Sequence, residues 1–223
     1  MAKTNIAGQK YLSKILKTVF QKQTFTNSGD YWEERYKKGG NSGAGSYNNL
    51  AEFKGEIINS FVADNNVKNV IELGCGDGNQ LRYFNFASYL GLDVSQTAVL
   101  KCREIFKSDP SKRFELIENY KEERAELVLS LDVIFHLIED EIFEKYMKTL
   151  FDASDKFIII YSSNREDNGE TAAHFKHRRF TEWIDKNSVP FKLINYIPNK
   201  YPFNGDGVTS STSDFYIYQK SVD

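Results

Sequence analysis

The chain has 223 residues, 40% of them hydrophobic, with 29 basic and 31 acidic side chains and a formal net charge of −2. That length holds one large α/β domain or two small ones at most, and the charge balance argues against a general polyanion-binding protein. Cys75 and Cys102 are the only cysteines and lack CxxC or zinc spacing, so neither a disulfide framework nor a structural metal is expected.

The amino end is basic and lacks the continuous apolar core of a signal peptide, and no later run approaches the ~20 residues of a membrane span, so the expected location is the cytoplasm. Leu12, Ile15, Leu16, Val19 and Phe20 stand at helical spacing and predict a helix over 10–22. Asp30–Tyr36 reads as a second short helix, Gly39–Ser46 as a flexible loop, and Leu50–Val62 as a helix leading into a strand at Asn69–Leu73. After a glycine turn, Asn79–Phe84 is expected to start a helix. Tyr89–Val94 is the second strand, and Ser95 caps a helix over Thr97–Lys107. Strands follow at Arg113–Ile117, Glu126–Leu131 and Lys156–Tyr161, with a helix over Glu139–Leu150 between the last two. Phe175–Lys186 is predicted helical, and Phe191–Ile197 and Phe215–Tyr218 are closing strands. This alternation predicts an α/β fold, a mostly parallel, doubly wound sheet with helices on both faces.

The segment Val70-Ile71-Glu72-Leu73-Gly74-Cys75-Gly76-Asp77-Gly78 carries the most information. A buried strand runs into three glycines at alternate positions, the way an α/β sheet builds a nucleotide pocket at its carboxyl edge. About 20 residues on, Asp93 ends Leu90-Gly91-Leu92-Asp93, where an acidic side chain meets ribose hydroxyls. The register is not the G-x-G-x-x-G of dinucleotide sites, and no lysine follows in P-loop register. Cys75 sits where a small side chain fits and reads as packing.

A second segment, Leu129-Ser130-Leu131-Asp132-Val133-Ile134-Phe135-His136-Leu137, leaves the sheet at the same edge. His136 titrates near neutrality when unperturbed and is the first candidate base, or else a packed histidine. Downstream, His174 and His177 stand three apart, a spacing that would put them on one helical face, and are second candidates. Two histidines alone do not make a metal site. Lys176, Arg178 and Arg179 form either a substrate-facing cluster for phosphate, carboxylate or an acidic sugar, or a solvated basic helix.

The Glu72…Gly74-x-Gly76-x-Gly78 spacing with Asp93 resembles motif I of the class I S-adenosylmethionine (SAM) methyltransferases, and Asp132-Val133-x-x-His136 resembles motif IV of their small-molecule O-methyltransferases. The resemblance implies a Rossmann-like seven-stranded sheet with an antiparallel last strand, over 31–223, behind a helical extension at 1–30. It implies SAM as cofactor, S-adenosylhomocysteine (SAH) as product, and donor contacts from Gly74, Cys75, Gly76, Asp77, Gly78, Asp93 and Val94, with Ser46 from the preceding loop. Glu72 would orient the loop or reach the donor's ammonium group. Asp132 would contact the donor or cap a helix. Gly39–Ser46 would close over the donor as a lid or remain a surface loop, with Trp32 and Tyr36 packing beneath it or stacking on a ligand, Tyr36 as a contact to the acceptor. Phrases such as Tyr31-Trp32-Glu33-Glu34-Arg35-Tyr36 and Ile160-Tyr161-Ser162-Ser163-Asn164 resemble a bacterial subgroup that accompanies surface-polysaccharide genes. That implies a small-molecule, sugar-type or phosphoryl-type acceptor rather than nucleic acid. A protein acceptor, a non-catalytic donor-binding subunit and a nicotinamide-dependent dehydrogenase are the competing readings; the oligomeric state is not legible.

Overall fold

The computed structural model describes residues 25–167, 172–187 and 189–221. The helix expected over 10–22 lies outside them. In chain order the elements are α1 (Ser28–Lys37), α2 (Asn48–Asp64), β1 (Val70–Leu73), β2 (Tyr89–Asp93), α3 (Gln96–Ile105), β3 (Lys112–Leu116), β4 (Ala125–Leu131), α4 (Asp140–Asp152), β5 (Ser154–Ser162), α5 (Phe180–Lys186), β6 (Phe191–Ile197) and β7 (Asp214–Lys220). The domain boundary expected at residue 30 falls inside α1.

The strands form one seven-stranded sheet in the order β3-β2-β1-β4-β5-β7-β6. β1 to β5 pair in parallel, and β7 runs antiparallel to both β5 and β6. This is the expected Rossmann-like, doubly wound sheet with an antiparallel last strand. β4 is buried on both faces, so its side chains alternate between two cores. Leu127, Leu129 and Leu131 pack with Phe53, Ile58 and Phe215, while Val128 packs with Met147, Leu150 and Phe180. Truncating Leu127 or Leu129 to Ala is expected to cost about 2–5 kcal/mol. The chain leaves β1 toward one edge of the sheet and β4 toward the other, which opens a crevice at their carboxyl ends. Among the described residues, no helix is long and apolar enough to cross a membrane.

Two expected helices differ. After the glycine turn the chain makes only a 3₁₀ turn, Gln80–Tyr83. Helix α2 already occupies that part of the sheet face and binds the turn: Gln80 Nε2 donates to Ala51 O, Asn59 Nδ2 to Tyr83 O, and Asn85 N to Asn59 Oδ1. The helix expected from Phe175 begins instead at Phe180. Residues 175–179 are held by other parts of the chain. Lys176 N donates to Phe135 O, the Arg178 guanidinium caps Leu137 O and Ile138 O, and His177 is buried against Ser163. Helicity starts where Phe180, Trp183 and Ile184 give one buried face at i, i+3, i+4.

Candidate active site

A cavity of ≈ 210 Å³ lies at the carboxyl ends of β1, β2 and β4. Its floor is the glycine turn from Glu72 to Gly76; Asp93 and Val94 stand at one side, and Asp132, Val133 and His136 at the other. Trp32 and Tyr36 of α1, with Ser42 and Ser46 of the following loop, roof it. Gly74 and Gly76 have φ of 85° and 58°, where glycine is favoured, and a side chain there would overlap Val133 at the first and Ser42 at the second. The backbone turn is thus packed tightly between the motif-IV segment and the roof.

Asp93 accepts from Gly76 N at 2.8 Å and Ser95 N at 2.9 Å, one bond to each oxygen, so each keeps a lone pair for a further donor. Burial raises its pKa to about 6 against the opposing pull of those amides. Glu72 is pushed up to about 7, again by burial, although the Tyr89 hydroxyl (2.5 Å) and the Lys54 charge oppose the shift. Two buried carboxylates of this kind are most comfortable when a cation joins them. Gln80 adds a third acceptor. Its Nε2 is spent on Ala51 O, and among the described residues its buried Oε1, at the cavity wall, has no hydrogen-bond partner. A buried acceptor left open costs about 1–3 kcal/mol unless a ligand donates to it. Apolar Leu92, Ile117 and Ile142 complete the walls. The set suits a ligand with a cationic amino-acid end, a ribose and a flat apolar ring, the composition of SAM.

Three expected contacts sit elsewhere. The Asp77 carboxylate points to the roof loop, accepting from Tyr47 OH (2.7 Å) and Ser42 N (3.3 Å), while Asp77 N donates to Ser42 Oγ. Asp77 is therefore a strut between glycine turn and roof, and does not line the cavity. Gly78 backs onto Cys102 and Phe106 rather than the ligand space. Tyr36, expected at the acceptor, lines the donor cavity and bonds Ser42 Oγ at 3.0 Å. The loop over Gly39–Ser46 is not loose: it contains a 3₁₀ turn at Ala44–Ser46, and Asn79 Nδ2 binds Ser46 O.

A second chamber adjoins the first, with Ser42, Asp132 and His136 in the shared wall. Asp132 has φ 58°, a left-handed conformation that costs about 1–3 kcal/mol in a non-glycine residue and marks functional positions. Its carboxylate is fixed on both sides: Lys54 Nζ donates at 2.7 Å and Ser213 Oγ at 2.8 Å. Lys54 is fully buried and lies over the Tyr161 ring. It stands at i+4 from Leu50 and i−4 from Ile58, a cation on the apolar stripe of α2, and that is the signal in the sequence that betrays it. His136 Nδ1 is 2.9 Å from His174 O. A carbonyl only accepts, so Nδ1 carries the proton and Nε2 keeps a lone pair. Burial among Trp32, Phe135 and Phe175 pushes the imidazole down to about 4, so it is neutral at physiological pH.

The other histidines and cations do not join it as expected. The His174 ring stacks on Tyr31, 4.3 Å between centroids, and lies 5.7 Å from the His136 ring, outside the lining of both chambers, while its backbone carbonyl binds His136 Nδ1. His177 lines the second chamber with both ring nitrogens engaged, Nδ1 to Ser163 Oγ and Nε2 to Arg165, which leaves no lone pair for a base. Lys176 and Arg178 both pair with Asp140, and Arg179 pairs with Glu182, in a groove beside α4 and α5. They brace the fold there and do not face either chamber.

Residues 71–154 match a family model described as a methyltransferase domain. No curated protein matches the chain. Among solved structures it is similar to the methyltransferase domain of a bacterial CtHen1 protein, at 18% identity over 78% of this chain and 100% of that one, TM-score 0.59. It is also similar to magnesium protoporphyrin IX methyltransferase from Synechocystis PCC 6803 crystallised with SAH (16% identity, 92% and 100% covered, TM-score 0.58). A third is a SAM-dependent methyltransferase from Clostridium acetobutylicum ATCC 824 (13% identity, 75% and 91% covered, TM-score 0.55). At these identities the likeness is one of fold.

Proposed function

We propose, from the premise that residues 71–154 form a methyltransferase domain, that the chain methylates an oxygen of a small molecule held in the second chamber. It is a SAM-dependent methyltransferase, and SAM is its donor. The donor supplies a methyl carbon already activated on a sulfonium, whose C–S bond breaks toward sulfur as the acceptor oxygen bonds to carbon. The protein's task is alignment and exclusion of water. Glu72 and Gln80 hold the ammonium end, and Asp93 holds the ribose hydroxyls. The fixed Asp132 orients the acceptor at the window between the chambers. His136 Nε2 takes the proton of the acceptor hydroxyl.

The observation that carries this reading is His136, in the wall common to both chambers, with its proton locked on Nδ1 and its free lone pair on Nε2. A base whose conjugate acid titrates near 4 is weak, so it takes the proton in concert with methyl transfer and contributes at the low end of the usual range, about 100-fold. A sugar-type or phosphoryl-type acceptor in surface-polysaccharide biosynthesis is the class supported by the resemblance of the Tyr31–Tyr36 and Ile160–Asn164 phrases. The test is His136→Ala. We expect kcat to fall about 100-fold while SAH affinity, read by calorimetry, stays put. An unchanged kcat removes the base, and loss of SAH binding removes the assigned geometry.

A further inference from the structure

The second chamber has a chemistry that the donor site does not explain. Its only carboxylate among the described residues is Asp132, already neutralised by Lys54 at 2.7 Å. Its cationic side chain is Arg165, three residues past the end of β5, exposed to the chamber. A guanidinium cannot give up a proton, so the 2.8 Å contact between Arg165 Nη2 and His177 Nε2 has arginine as donor and histidine as acceptor. His177 is then neutral with its proton on Nδ1, which donates to the buried Ser163 Oγ at 2.6 Å. Burial, then the Arg165 charge, both push the His177 pKa down and keep it in that form. A chain of Ser163, His177 and Arg165 thus sets the plane of the guanidinium from behind, and the N–H groups not spent on His177 remain for a partner. Phe135, Phe175 and Phe203 supply its apolar lining, with Phe175 edge-on to His177 at 4.8 Å between ring centroids.

We infer that this chamber takes an anionic acceptor, one bearing a carboxylate or phosphoryl group that Arg165 binds through its fork, with His177 as the residue that positions Arg165. The inference rests on the methyltransferase reading above and specifies its substrate class. A planar fork matches the two oxygens of either anion, and the aromatic wall holds the acceptor's carbon frame while its nucleophilic oxygen reaches Asp132 and His136. Among the described lining residues the charges are one guanidinium and one compensated carboxylate, which favours an anionic over a cationic acceptor, while Asp167 acts on His177 from outside the lining.

Three probes test this on the SAH-loaded full chain: phenyl phosphate, benzoate and, as the uncharged match, benzamide. Binding is followed by calorimetry. We expect phenyl phosphate or benzoate to bind at least about 10-fold more tightly than benzamide, the stronger of the two identifying the phosphoryl or the carboxylate source. Arg165→Gln should level all three while leaving SAH affinity unchanged. His177→Asn should reduce the anion preference partially, and raising the salt concentration should reduce it further. Equal binding of charged and uncharged probes, binding of none of them at about 10 mM, or a preference that survives Arg165→Gln overturns the inference. Failure of SAH itself to bind the wild type overturns the methyltransferase reading instead, so the two failures are distinguishable.

Discussion

At the scale of single residues, Gln80 and Lys54 are the informative side chains. Gln80 lines a cavity that already holds two carboxylates, and its buried Oε1 has no partner among the described residues. Gln80→Leu keeps the volume and removes the acceptor. A hydrogen bond to a charged group is worth about 1.5–3 kcal/mol, so SAH affinity is expected to weaken roughly 10- to 100-fold by calorimetry. Unchanged affinity would mean that the ligand's ammonium group lies elsewhere. Lys54 faces Asp132 with no exposure of its own. Removing one partner of a buried pair leaves the other charge stranded, so Lys54→Met should destabilise by about 3–5 kcal/mol in urea denaturation. Adding Asp132→Asn should restore much of that loss. Simple additivity of the two would show that the charges are not coupled in the folded state.

At the scale of elements, α1 is the roof, tethered at its first residue and at its middle. Ser28 N and Oγ donate to the Glu139 carboxylate just before α4. Glu33 accepts from Ser95 Oγ and from Thr97 N and Oγ1 at the start of α3. Burial works against the Glu33 charge, but those donors and Lys37 outweigh it and hold the carboxyl down to about 2, so the tether persists through the neutral range. Glu33→Ala should lower amide-exchange protection over 28–37 and speed SAH release, with little change in the β-sheet amides. Uniform loss of protection across the chain would instead make α1 part of the global folding unit. This scale also shows how far the sequence could be read. The strands, the Ser95 cap and the glycine turn were legible because each is set by local pattern: apolar runs, a capping hydroxyl, alternate glycines. The helices expected after Gly78 and from Phe175 were not, because α2 and the Phe135–Ile138 segment, far away in sequence, claim those residues' hydrogen bonds. The same holds in the site: Glu72, Gly74, Gly76, Asp93 and His136 lie on motifs, Lys54 shows only as a cation on an apolar helical stripe, and Gln80 and Arg165 join through tertiary packing alone.

For the molecule as a whole, the charge states of Glu72 and Asp93 couple folding, donor binding and pH. Their folded pKa values, about 7 and about 6, lie above the ordinary carboxylate values, and burial is the main cause of both shifts. A raised acid contributes stability that is complete below its unfolded pKa and is lost as pH rises through its folded pKa, so these two groups stabilise the free protein at pH 5 relative to pH 7. His136 opposes them: its depressed value, about 4, makes its contribution fall as pH drops below 6.5. The three contributions run in opposite directions in the free protein, so the donor-dependent part is the quantity to measure. The donor's ammonium group favours ionised Glu72 and its ribose hydroxyls, as hydrogen-bond donors, favour ionised Asp93, so binding below their free pKa values must release protons. Donor affinity is therefore expected to rise between pH 5.5 and 7, below the range near 8 where the donor's own amino group titrates. Read as the increase in Tm at a fixed SAH concentration, the effect should grow across that window, since the stabilisation follows RT ln(1 + [L]/Kd). Calorimetry at pH 6 in two buffers of different ionisation enthalpy should detect the released protons directly, and Glu72→Gln should diminish both signals. A Tm increase that is flat with pH in the wild type would place the ammonium group away from Glu72 and the ribose away from Asp93.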